Sequence, residues 1–113
     1  MQPDALTAWR TRIAADLLAA MRRRDDVATS ALRDALSALD NATAVPQMDA
    51  EHPPLPRRSE VPRRVLTEDD CRAVLRSELA IRAAAAAEYE RLSFPMRAAR
   101  ARAELDVLMR YLE

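Results

Sequence analysis

Apolar residues recur with helical spacing in four segments of the chain. Leu6, Trp9, Ile13, Leu17 and Met21 follow one another at intervals of three and four, so a helix over 4–24 gathers them on one stripe. A second helix, from about 25 to 41, carries Ala28, Ala31, Leu32, Ala35, Leu36 and Leu39. A third, 67–92, presents Val74, Leu75, Leu79, Ile81 and Tyr89, with an unbroken alanine run from Ala83 to Ala87 that lets a neighbouring helix come close. In a fourth, 95–112, Ala98, Ala101, Leu105, Leu108 and Leu112 make the stripe, widened by Val107, Met109 and Tyr111. Helix starts are marked by Asp4, by Asp25-Asp26, by Thr67 followed by three acids, and by Pro95, which a first turn tolerates.

The breaks between the first and second helices and between the third and fourth are very short, which predicts two antiparallel hairpins. Between the hairpins, 43–65 holds Pro46, Pro53, Pro54, Pro56 and Pro62, and reads as an exposed, partly extended or disordered linker within a single domain. The prediction is therefore an all-α bundle of four helices, in two antiparallel hairpins joined by a Pro/Arg-rich linker. Composition points the same way. The 113 residues include no glycine, the residue on which tight hairpin turns of a sheet protein depend, and only 4% are aromatic.

The formal charge is zero, and all 18 basic residues are arginine. With no global pull toward anions, any such role must come from local clusters. The candidates are Arg22, Arg23 and Arg24 at the end of the first helix, Arg33 on the second, Arg57, Arg58, Arg63 and Arg64 in the linker, Arg82 on the third, and Arg97, Arg100 and Arg102 on the fourth. Guanidinium suits phosphate through paired hydrogen bonds. On the residues alone, the favoured reading of these clusters is a solvated face balanced by nearby acids. Glu78 and Arg82, four apart, read as a surface ion pair.

Other chemistry finds little support. His52, the sole histidine, falls in the linker without a partner. Cys71 fits the apolar stripe of the third helix and reads as a buried structural residue; one cysteine allows no internal disulfide and fits a reducing compartment. One histidine and one cysteine do not build an ordinary zinc site, and Glu78, Glu88 and Glu104 lack the glutamate-x-x-histidine motif of di-iron bundles. Without glycine there is no phosphate loop. No catalytic residues, metal ligands or cofactors are expected. The N-terminus lacks the features of a signal peptide and no stretch approaches the length of a membrane span, so cytoplasm is the expected location and a membrane is not an expected partner.

The ordered set of short segments resembles the YqeY family, related to the C-terminal region of the GatB amidotransferase subunit. The segments are Asp16-Leu17, Ala19-Ala20-Met21 and Arg24-Asp25; Ser30-Ala31-Leu32-Arg33 and Asn41-Ala42; Leu66 to Asp70, Ala73-Val74-Leu75, Glu78-Leu79 and Arg82; and Ala103-Glu104-Leu105, Val107-Leu108 and Tyr111-Leu112. The resemblance covers nearly everything outside the linker and implies a helical N-terminal domain over 1–113. Family members continue into a smaller helical domain that this sequence lacks, and they carry a glycine where Leu92-Ser93 stands here.

What the resemblance implies is an accessory module of tRNA-dependent amidotransferases. It would contact tRNA or amidotransferase subunits through the arginines named above. The family's association with carbon–nitrogen ligases using glutamine as amide donor belongs to other domains of those complexes. The alternative is a helical module for protein–protein contact or self-association, with Leu105, Val107, Leu108, Met109 and Tyr111 as its apolar face.

Overall fold

Apolar stripes, with side-chain caps at three of the starts, lay out four α-helices among the described residues: α1 (Ala5–Arg22), α2 (Asp26–Ala42), α3 (Glu68–Arg91) and α4 (Pro95–Met109), followed by a 3-10 turn at Arg110–Leu112. The computed structural model describes residues 4–44 and 64–113. Among them there is no sheet, only a single bridge residue at Ala44.

Each of the first three helix starts satisfies its free amides locally. The Asp4 carboxylate accepts from the Thr7 amide at 2.7 Å. Asp25 accepts from the Ala28 amide at 3.0 Å. Thr67 and Asp70 form a reciprocal capping box, Asp70 N–H to Thr67 Oγ1 at 3.1 Å and Thr67 N–H to Asp70 Oδ2 at 3.0 Å. These backbone bonds hold all three aspartates below the usual carboxylate range. Pro95 opens α4, with no side-chain cap before it.

The two hairpin turns share one device. At the first, the Asp25 amide reaches the Ala20 carbonyl at 2.9 Å and the Arg24 amide reaches Met21 at 3.1 Å. At the second, Phe94 N–H reaches the Tyr89 carbonyl at 2.8 Å and Ser93 N–H reaches Glu90 at 3.1 Å. Both are Schellman closures, which put one residue in the left-handed region. Glycine usually takes that place; here Arg24 has φ 58° and Ser93 φ 65°. A side chain there costs about 1–2 kcal/mol. Ser93→Gly is therefore expected to raise stability by about 0.5–1 kcal/mol, read as the midpoint of urea unfolding.

Cross-hairpin pairs fix the antiparallel sense. Arg10 bonds Asp40 while Arg33 lies 3.9 Å from the sulfur of Met21, joining opposite ends of α1 and α2. Arg102 pairs with Glu90, and Arg72 Nη2 donates to the Leu112 carbonyl at 3.0 Å, doing the same for α3 and α4. The core comprises Trp9, Ile13 and Ala20 of α1, Ala28 to Leu39 of α2, Leu66, Cys71 and Leu75 at the start of α3, and Leu108 and Tyr111. It gathers around the first half of α3 and the end of α4. Beyond it, the far part of the α3–α4 hairpin closes on small residues, the buried Ala86, Ala98 and Ala101.

Three predicted core positions fall outside. Met21 is 45% exposed, because α1 turns Ala20 inward at its last turn instead. Ile81 is 59% exposed, since the α3 stripe that starts at Cys71 and Leu75 continues through Arg82 and Ala86. Met109 is 46% exposed, while Leu108 and Tyr111 beside it are buried.

At the ends of the predicted linker, Thr43 is buried as the C-cap residue of α2. Its carbonyl accepts the Arg64 amide at 2.7 Å. Residues 45–63, which include His52, Arg57, Arg58 and Arg63, lie outside the described residues.

Candidate functional site

A groove of about 330 Å³ opens where α1 and the start of α2 meet the end of α4. On α1 the residues Arg12, Asp16, Ala19 and Arg23 recur at intervals of four, three and four, which places them on one stripe beside the core stripe. The start of α2 contributes Asp25, Ala28 and Leu32, and the end of α4 and its 3-10 turn contribute Val107, Arg110 and Tyr111. Buried Ala28, Leu32 and Tyr111 give it an apolar base, and the ionisable side chains line its walls.

Tyr111 organises one side. Its hydroxyl donates to the Asp16 carboxylate, ninety-five residues away in sequence. The Arg12 guanidinium sits 4.5 Å above the Tyr111 ring centroid, a cation–π contact. Trp9 lies against the same ring at 6.4 Å, and its Nε1 donates to Glu68 at 2.8 Å, tying this corner to α3. Burial, reinforced by the bond to Asp16, pushes the Tyr111 phenol far above its usual range, so it stays a donor. Asp25 caps α2 and lies 3.4 Å from Arg23, a loose ion pair. Both carboxylates of the groove are thus engaged, whereas Arg12 and Arg110 have no carboxylate partner among the described residues.

The arginines singled out from sequence meet different fates. Arg22 and Arg24 are exposed at the α1–α2 turn without a carboxylate partner among the described residues, and Arg23 beside them enters the groove. Arg33 is exposed and lies 3.9 Å from the Met21 sulfur, without a carboxylate partner among the described residues. Arg64 pairs with Asp70 at 3.2 Å. Arg97 lies 5.0 Å over the Phe94 ring. Arg100 pairs with Glu104 at 3.1 Å and Arg102 with Glu90. The groove and the α1–α2 turn thus bring together Arg22, Arg23 and Arg24, and add Arg12 and Arg110, which sequence reasoning had not singled out.

Arg82 corrects the expectation of a surface pair. Its side chain is only 7% exposed. Its guanidinium meets three carboxylates from three helices: Asp34 of α2 at 2.6 Å, Glu78 of α3 at 2.9 Å and Glu104 of α4 at 3.1 Å. Burial alone would lower its pKa; the bond to Glu78 and the charges of Glu104, Glu78 and Asp34 outweigh that and raise it. This arginine joins α2 to the second hairpin from inside, and its nitrogens are already taken.

Cys71 is fully buried, and burial together with the nearby Glu68 and Asp70 charges raises its thiol pKa, the opposite of an activated nucleophile. Among the described residues no group of three histidines, cysteines or acids could hold a metal ion, and no helix is long and apolar enough to cross a membrane.

At the far end of the α3–α4 hairpin, Leu92 (46% exposed), Phe94 (44%) and Met96 (85%) form an apolar tip, with Tyr89 edge-on to Phe94 at 6.5 Å. The apolar face expected on α4 is largely taken up inside the fold: Leu108 and Tyr111 are buried, Leu105 and Val107 partly so.

Asp16 and Tyr111 both stand in short segments already singled out from the sequence. Arg12 and Arg110 stand in none; only the way α4 ends against α1 gives them a common setting. No family model, curated protein or solved structure matches the chain.

Proposed function

We propose that this chain is a non-catalytic binding module that holds tRNA through the arginine-rich end of its bundle, as an accessory to amidotransferase-like subunits. One observation carries the reading. On a chain with no net charge, Arg12, Arg22, Arg24 and Arg110 stand without carboxylate partners among the described residues, around the α1–α2 turn and the adjoining groove. Elsewhere among the described residues most arginines are in ion pairs, from Arg10 with Asp40 to Arg102 with Glu90, and Arg33, Arg76 and Arg97 stand apart from one another without one. Unpaired guanidiniums gathered on one side make a local positive surface suited to phosphates.

The resemblance to the YqeY family narrows that polyanion to tRNA.

Anisotropy of labelled tRNA titrated with the protein tests the reading. Binding is expected at low salt, weakening linearly in log–log form as salt rises, as counterion release requires. The Arg22→Gln, Arg24→Gln double variant is expected to flatten that slope by about one for each phosphate it no longer neutralises. Absence of tRNA affinity at low salt overturns the proposal.

The second reading, a protein-contact module, is favoured by a different feature, the exposed Leu92, Phe94 and Met96 tip. A monomeric sedimentation profile at high concentration would count against its self-association form.

A further inference from the structure

We infer that the groove between α1, the start of α2 and the end of α4 binds a phosphate monoester, the end phosphate of an RNA or that of a free nucleotide. The inference rests on the polyanion-binding reading above and assigns one part of it to one place.

Charge balance favours an anion here. Arg12, Arg23 and Arg110 face two carboxylates, Asp16 and Asp25. Asp16 already accepts the Tyr111 hydroxyl, and Asp25 already accepts the Ala28 amide. Arg23 is held only loosely, since its 3.4 Å approach to Asp25 is well beyond the roughly 2.7–2.9 Å of a close charged hydrogen bond. Three guanidiniums against two carboxylates leave the groove a net charge of +1, and Arg12 and Arg110, without carboxylate partners among the described residues, have donors to offer an incoming anion.

Shape restricts the size of that anion. At about 330 Å³ the groove is at the small end of ligand sites, matched to one nucleotide-sized group and not to a run of duplex backbone. Two of its arginines have settings that limit their freedom or give them a rim. Arg12 rests on the Tyr111 ring, which pre-orients its guanidinium, and Arg110 adjoins Tyr111 in the closing 3-10 turn.

Ligand charge separates a chain end from a chain interior. A monoester carries about −1.5 to −2 near neutral pH and three terminal oxygens, against a single charge on each backbone diester. Three guanidiniums at one groove offer paired hydrogen bonds to that many oxygens. With no histidine among the groove residues, the pH response of binding should follow the ligand's own second ionisation, near pH 6.

The test compares an RNA hairpin bearing a 5′-phosphate with the same hairpin ending in a 5′-hydroxyl, by anisotropy of a label at the 3′ end. Titrations of AMP and adenosine are followed by calorimetry. The phosphorylated hairpin is expected to bind about tenfold tighter than the hydroxyl form, the preference fading below about pH 6. AMP should bind where adenosine does not.

The Arg12→Gln, Arg110→Gln double variant should bring the two hairpins to equal affinity, and Arg110→Gln alone should narrow the gap. Arg76→Gln, at an exposed position on α3, should leave it intact. Equal affinity for both hairpins in the parent protein overturns the groove assignment while leaving tRNA binding standing. AMP binding without any tRNA affinity supports the groove and overturns the tRNA reading. If neither AMP nor either hairpin binds, both fall. A preference that survives the Arg12→Gln, Arg110→Gln change places the phosphate elsewhere and also overturns the assignment.

Discussion

Replacing Arg82 with alanine should destabilise the protein by about 3–5 kcal/mol. The loss comes less from missing attraction than from what stays behind. Glu78 and Glu104 are 16% and 14% exposed, and without the guanidinium they become like charges held close in a setting short of water. Asp34, more than half exposed, would re-solvate at little cost. Because domains of this size have about 5–15 kcal/mol in hand, the change removes about a fifth or more of that margin.

Two comparisons separate this mechanism from simple cavity formation. Arg82→Met together with Glu78→Gln and Glu104→Gln removes the charges jointly, and should recover much of the stability that Arg82→Ala loses. Arg82→Lys should fall between parent and alanine, because one ammonium does not reproduce the planar reach to three helices. Urea midpoints for the set decide the matter. If Arg82→Ala unfolds at the parent's midpoint, the internal cluster contributes nothing to stability.

Tyr111→Ala is the second large effect, expected at about 3–5 kcal/mol from loss of a buried aromatic side chain. Tyr111 fastens the end of the chain to α1 through Asp16, Arg12 and Trp9 together. Tyr111→Phe keeps the ring and the cation–π contact and removes only the hydroxyl, so its cost should be about 1 kcal/mol. Asp16 is solvent-exposed and takes water in its place. The pair of variants also bears on function: the phenylalanine form should retain the base of the groove, and the alanine form should release Arg12 from its perch. Thermal melts for stability and anisotropy for binding distinguish the two roles.

The elements of this fold were largely written in local chemistry. Asp4, Asp25 and Thr67 cap the helices whose starts they predict, and the spacing of Trp9 and Ile13, or Leu32 and Leu39, marks the faces that the core buries. Misplaced residues share a cause. Met21, Ile81 and Met109 fit a helical period, but a period does not fix its phase, and Ala20, Arg82 and Leu108 beside them turn inward instead.

Arg82 reads wrongly from sequence because an i, i+4 pair with Glu78 looks the same on a surface and in an interior. Its other partners, Asp34 and Glu104, come from helices forty-eight and twenty-two residues away. The groove was the least legible feature. Arg12 and Arg110 have no sequence neighbours to flag them, and Tyr111 gathers them only once α4 has settled on α1. Ser93 is an intermediate case: its place at a short break between two helices was visible in the sequence, and its φ of 65° supplies the physical meaning.

The meeting of Thr43 and Arg64 makes the protein a natural host for inserted sequence. Because the carbonyl of one accepts the amide of the other, the end of α2 and the approach to α3 are held side by side. For a flexible insert between two positions held this close, each doubling of length adds only about 0.6 kcal/mol of closure entropy. A flexible guest sequence added between those two positions, up to a whole domain, should therefore leave the mutual arrangement of the helices in place.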